Sequence, residues 1–141
     1  MIRNWCQKVL EALQFLHEHD IVHGELSCET IYINSNNGEI KLGDVGIKHI
    51  HTSIRSHELG SCKLYLKEKD TLKVDVFCFG LTLLEIVAST ESDSSKFTLK
   101  YMIRMLNQGR KNELLSKLLY DPMKDFLANA LSSDPEKRFG I

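Results

Sequence analysis

His23-Gly24-Glu25-Leu26 leads into Thr30-Ile31-Tyr32-Ile33, and after Asn36-Asn37-Gly38 the run Glu39-Ile40-Lys41-Leu42 ends at Gly43 before Asp44-Val45-Gly46. The β-branched and aromatic run from Thr30 predicts a short strand. Asn36-Asn37-Gly38 tolerates positive φ, and the run that follows alternates polar with apolar residues, so the two runs predict a hairpin. One polar motif therefore precedes a small hairpin and a second follows it.

Outward on the N-terminal side, Ile2, Trp5, Cys6, Val9, Leu13 and Leu16 recur at intervals of three and four, predicting an amphipathic helix from about Arg3 to His19. On the C-terminal side, Ile47 to Lys73 is polar and without period, which predicts a long surface loop. Val74 to Val87 is apolar nearly all round, as expected of a helix buried at the centre of a helical layer. Phe97, Tyr101, Met105 and Leu106 mark a further helix stopped near Gly109. Leu114, Leu115, Leu118 and Leu119 form another short apolar face. Pro122 suits the first turn of a last helix striped by Phe126, Leu127, Ala130 and Leu131 and closed by Ser133-Asp134-Pro135.

The 141 residues suit one domain, spanning 1–141, and 43% hydrophobic with 26% charged residues is the balance of a globular protein. A formal net charge of −1 gives no global reason to expect nucleic acid or an anionic membrane as partner. Cys6, Cys28, Cys62 and Cys78 contain no Cys-x-x-Cys pair, which fits reduced thiols inside a cell. The longest apolar run, Val76 to Leu84, is too short to span a bilayer. Asn4, Gln7, Lys8 and Glu11 interrupt any signal-peptide core. A cytoplasmic or nuclear protein is expected. His17, His19, His49, His51 and His57 lack metal-binding spacing, so solvated loop and helix-end histidines are expected, with no structural metal.

The order of motifs resembles the C-terminal lobe of the protein kinases. His23-Gly24-Glu25-Leu26 and Asp44-Val45-Gly46 stand where that family places its H-R-D-L-x-x-x-N catalytic loop and its D-F-G metal loop. Asp75-Val76-Phe77-Cys78-Phe79-Gly80 is similar to its D-V-x-x-x-G signature, and Asp134-Pro135-Glu136-Lys137-Arg138 to its D-P-x-x-R stretch. Trp5-Cys6, Cys28 and the run from Asn37 to Asp44 look like the With-No-Lysine kinases and the nuclear-receptor-binding-protein pseudokinases. The implied fold is mainly α with a small β-hairpin, a protein-kinase-like C-terminal lobe. The Gly-rich loop, the phosphate-binding Lys and its partner helix, which form the small lobe in that family, are absent from this sequence.

Against the family pattern, Glu25 replaces the catalytic Asp with a carboxylate one methylene longer, and a misplacement of ~1 Å can cost around a hundredfold in rate. Ser27 replaces the Lys directed at the transferred phosphate, removing a positive charge from a chemistry that is mostly electrostatic. Thr30 replaces the metal-binding Asn with a shorter, branched hydroxyl. Gly24 replaces the Arg that pairs with a phosphorylated activation loop. Asp44 survives, either as a residual Mg²⁺ or nucleotide contact or as a cap on the turn after the hairpin. Leu66-Lys67-Glu68 is the nearest counterpart of A-P-E, with its spacing to Asp75 roughly four residues short.

The resemblance also implies structural roles. His23 is expected to be a hydrogen-bonding residue and not a catalytic one. Asp75 is expected to accept hydrogen bonds from the catalytic-loop backbone, and Arg138 to be a buried ion-pair partner of Glu68. Glu25 is expected to be a solvated or Arg-paired loop residue sooner than a live base. The leading expectation is a pseudokinase-like lobe that binds other signalling proteins and needs no cofactor, with Mg-ATP the ligand of any residual nucleotide site. The alternatives are a divergent serine/threonine kinase whose small lobe lies outside this sequence, and a truncated gene product with no stable role.

Overall fold

A computed structural model describes residues 2–43, 62–63, 65, 71–89, 98–118 and 123–140. In chain order these form helix α1 (Ile2–Glu18), strands β1 (Ile31–Ile33) and β2 (Ile40–Leu42), and helices α2 (Leu72–Ala88), α3 (Leu99–Asn107), α4 (Lys111–Ser116) and α5 (Lys124–Ala130), then a 3-10 turn over Pro135–Lys137. The described residues are mostly helical and include a two-stranded antiparallel sheet, in which Ile31 faces Leu42, Tyr32 faces Lys41 and Ile33 faces Ile40.

α2 is the axis of the core. Phe77, Phe79, Leu81, Leu83 and Leu84 are completely buried, so no stripe divides it into an inner and an outer face. Burial of each such side chain contributes roughly 1.5–3 kcal/mol. α1 lays Cys6, Val9 and Leu13 against the same core. An aromatic chain crosses the layers: Trp5 stacks on Phe79 at 5.9 Å, Phe79 meets Phe126 edge-on at 5.8 Å, and Phe126 meets Phe139 at 4.9 Å. α2 and α5 approach closely at Gly80, where a Cβ would come within 2.9 Å of the Ala130 Cβ.

α1 and α3 end by the same device. Ile21 N–H donates to Leu16 C=O and Asp20 N–H to His17 C=O, with Asp20 at φ +56°. Arg110 N–H donates to Met105 C=O and Gly109 N–H to Leu106 C=O, with Gly109 at φ +70°. Both are Schellman closures, which need a left-handed residue after the helix.

Several boundaries differ from the sequence expectations. α2 begins at Leu72, two residues before Val74, with extended Thr71 ahead of it. Lys63 and Tyr65, within the expected loop, have helical backbone. The buried face of α3 is Met102, Ile103, Met105 and Leu106, while Tyr101 is only half-buried, because the core lies on the side of Met102 and not of Tyr101. α5 buries Leu127 and Ala130, whereas Phe126 stays half-buried. Phe97, Leu119 and Pro122 lie outside the described residues. Among the described residues, no helix is long and apolar enough to cross a membrane.

Candidate functional site

The loop between α1 and β1 is fastened to α2 through one carboxylate. Asp75 lies in the first turn of α2 with no solvent exposure. Its Oδ2 accepts the His23 N–H at 2.8 Å and its Oδ1 accepts the Gly24 N–H at 2.8 Å. The His17 Nε2–H, at the end of α1, donates to the same Oδ2 at 2.8 Å. Three donors and the positive end of the helix dipole compensate a charge that burial would otherwise penalise heavily.

His23 is also completely buried, and its partners define its tautomer. Nδ1 accepts the Glu25 N–H at 3.2 Å, so Nε2 carries the proton and donates to Gly43 C=O at 2.7 Å. The ring thus joins the start of the loop to the end of β2, immediately before Asp44. Gly24 takes φ +88°, where a side chain would be strained, and its C=O accepts the Tyr65 hydroxyl at 2.9 Å.

Three polar side chains of the loop are buried. Glu25 is 5% exposed, Ser27 1% and Thr30 6%. The Thr30 hydroxyl accepts the Ser27 N–H at 3.0 Å and donates to Ser27 C=O at 3.2 Å, while Ser27 Oγ accepts the Glu29 N–H at 3.1 Å. Thr30 N–H also bonds Ser27 C=O, and Thr30 C=O receives Gly43 N–H, which ties the loop to the hairpin. The Thr30 hydroxyl thus uses its proton and one of its two lone pairs inside the loop.

Among the described residues, no group of three or more His, Cys, Asp or Glu side chains could hold a metal ion. Asp44 and the rest of Asp44-Val45-Gly46 lie outside the described residues, as do Leu66-Lys67-Glu68 and the proposed Glu68 partner of Arg138. Arg138 is 3% exposed, donating from Nε to Ser132 C=O at 2.9 Å and from Nη1 to Lys73 C=O at 3.1 Å, with its guanidinium 5.1 Å from the Phe77 ring centre. It anchors the segment after α5 to the start of α2.

Two expectations need correction. Glu25, expected to be solvated or Arg-paired, is not solvated, being 5% exposed. His17 is not a solvated helix-end histidine: its side chain is 7% exposed and bound to Asp75. Its place beside Asp75 depends on how α1 crosses α2, and nothing local in the sequence marks it. Tyr65, from the aperiodic stretch, was equally invisible, since its partner is 41 residues away.

The sequence model of a family described as protein tyrosine and serine/threonine kinase matches residues 1–141. The chain belongs to that kinase family. It is similar to the serine/threonine-protein kinase pkpA of Phycomyces blakesleeanus, with 29% identity over 145 residues covering 98% of this chain and 24% of that protein. The chain therefore spans about a quarter of the length of that kinase. Asp75 and His23 hold the loop from His23 to Thr30 by backbone and ring contacts.

Proposed function

We propose that this chain is a C-terminal kinase lobe without phosphoryl-transfer activity, acting as an interaction or regulatory module for other signalling proteins in the cytoplasm or nucleus. The observation that carries this reading is the Thr30 hydroxyl, which is bonded both ways to Ser27 at the position that the kinase resemblance assigns to a metal-binding Asn. Glu25 at the base position is almost completely buried, which further supports a loop maintained for its fold. A general base must reach the substrate hydroxyl, directly or through one water. Ser27 supplies no charge where the family uses a Lys.

On Trp5-Cys6, Cys28 and the run from Asn37 to Asp44, our reading also includes a likeness to the With-No-Lysine kinases and the nuclear-receptor-binding-protein pseudokinases. No resident cofactor is proposed, and Mg-ATP bound through Asp44 is the alternative state to test. Family membership and the pkpA similarity favour a second reading, a divergent serine/threonine kinase completed by a small lobe outside this sequence.

Thermal unfolding with and without ATP and Mg²⁺ separates the two, because a ligand that binds only the native state raises the midpoint. An unchanged midpoint is expected. A Mg²⁺-dependent rise that Asp44→Ala abolishes would overturn the non-catalytic reading for this chain.

A further inference from the structure

We infer that the surface formed by α3 and α4 around Tyr101, Arg104 and Lys117 docks an acidic segment of a partner protein, an inference that rests on the interaction-module reading and names the partner's chemistry. The chain as a whole is close to neutral, with a formal charge of −1. Between Thr98 and Leu118, however, Lys100, Arg104, Arg110, Lys111 and Lys117 stand against the single acid Glu113.

That acid is already engaged. Arg110 grips it with two hydrogen bonds, Nε to Oε2 at 2.7 Å and Nη2 to Oε1 at 2.6 Å, and the guanidinium pulls the Glu113 carboxyl below its ordinary range. Lys111 is turned away, donating to Ala128 C=O at 2.8 Å. The remaining cations, Lys100, Arg104 and Lys117, are exposed.

Two of them converge on one aromatic ring. Lys117 Nζ donates to the Tyr101 hydroxyl at 2.8 Å and lies 5.5 Å from the ring centre, a position reached along the hydroxyl and not over the ring face. The Arg104 guanidinium lies 5.8 Å from the same centre. Lys100 and Arg104 are one helical turn apart and share a face of α3. Among the described residues, no carboxylate forms a salt bridge with Arg104 or Lys117, although Lys117 also helps to lower the Glu113 carboxyl through space.

Arg104 in the last turn of α3 complements the helix dipole, but that accounts for neither Lys117 nor the convergence on Tyr101. Clustered like charges raise the local potential and speed encounter with an oppositely charged partner. A half-buried aromatic ring with flanking cations also offers apolar contact beside the charge, as interface centres do. Charge complementarity thus selects an acidic peptide.

The test is a titration of the ¹⁵N-labelled 141-residue chain with a synthetic peptide of alternating Glu and Ala, followed by amide shifts at low and moderate salt. Expected are perturbations confined to Thr98–Leu118, weaker binding as salt rises, and at least a roughly tenfold loss of affinity in Arg104→Glu/Lys117→Glu. Lys41→Glu, on the hairpin, should bind as the parent does. Unchanged amide dispersion outside α3 and α4 checks that the double variant is folded. Perturbations centred elsewhere, equal binding by the double variant, or binding only to a phosphoserine version of the peptide would overturn the proposal. A Mg-ATP stabilisation with peptide binding retained would remove the non-catalytic reading and leave this surface standing. Lost peptide binding without nucleotide stabilisation would do the reverse.

Discussion

Asp75 holds the backbone N–H of His23 at 2.8 Å across a separation of 52 residues, with both groups completely buried. The bond explains how a short irregular loop keeps one shape without strands of its own: its first two amides are tied to a rigid helix. Asp75→Asn keeps the size but offers one acceptor oxygen and turns an NH₂ toward an existing donor. A loss of about 3 kcal/mol in stability is expected, in the range for breaking a buried charged network. Urea unfolding checks it, and a loss below ~0.5 kcal/mol would mean that the loop is held by other contacts.

The two helix ends closed in the left-handed conformation give opposite outcomes. Asp20 adopts φ +56° with a side chain, and Gly109 adopts φ +70° without one. Asp20→Gly should raise stability by up to ~1 kcal/mol, and Gly109→Ala should lower it by about 1 kcal/mol. Denaturation midpoints of the two variants moving in the same direction would contradict the backbone assignment.

Gly80 sits where α2 meets α5. An added Cβ would lie 2.9 Å from Ala130 Cβ and 3.2 Å from Leu131 Cδ2. Gly80→Ala gains roughly 1 kcal/mol of helix propensity but overpacks by 1–3 kcal/mol, so a modest net loss is expected. Gly80→Val should lose about 3 kcal/mol. Thermal midpoints rank the variants, and a Val variant as stable as the parent would show that α5 can move away freely.

Cys6 and Cys28 should differ in reactivity. Burial pushes the Cys6 thiol above its ordinary range, up to about 11, so it carries almost no thiolate at mildly alkaline pH, whereas Cys28 is exposed. An aromatic disulfide reagent should modify Cys28 quickly and Cys6 only on unfolding, as peptide mass mapping would show. The raised value also has a sign for stability. Between the unfolded pKa and about 11 the folded state binds more protons, so this group's contribution is complete below that window and declines as pH rises through it. Equal labelling of Cys6 and Cys28 in the folded protein would contradict its burial.

Much of the architecture was legible along the chain because it is written in short periods. The three- and four-residue recurrence of Trp5, Cys6, Val9 and Leu13 marked α1, the alternation around Asn37-Gly38 marked the hairpin, and Gly109 marked the end of α3. The same order of motifs carried the family likeness, and the substitutions at Gly24, Glu25, Ser27 and Thr30 were visible as residue types. What those residues do with their atoms was not. Whether the Thr30 hydroxyl faces a metal or its own loop depends on hydrogen bonds made after the loop closes. Whether Glu25 is solvated or buried, and His17 idle or bound to Asp75, depends on how α1, the loop and α2 pack. Residue periodicity records which face of an element is apolar, but a carboxylate and its donors 51, 52 and 58 residues away share no period. They meet only when the core brings α1 and α2 together, and so the tertiary structure alone decided the site.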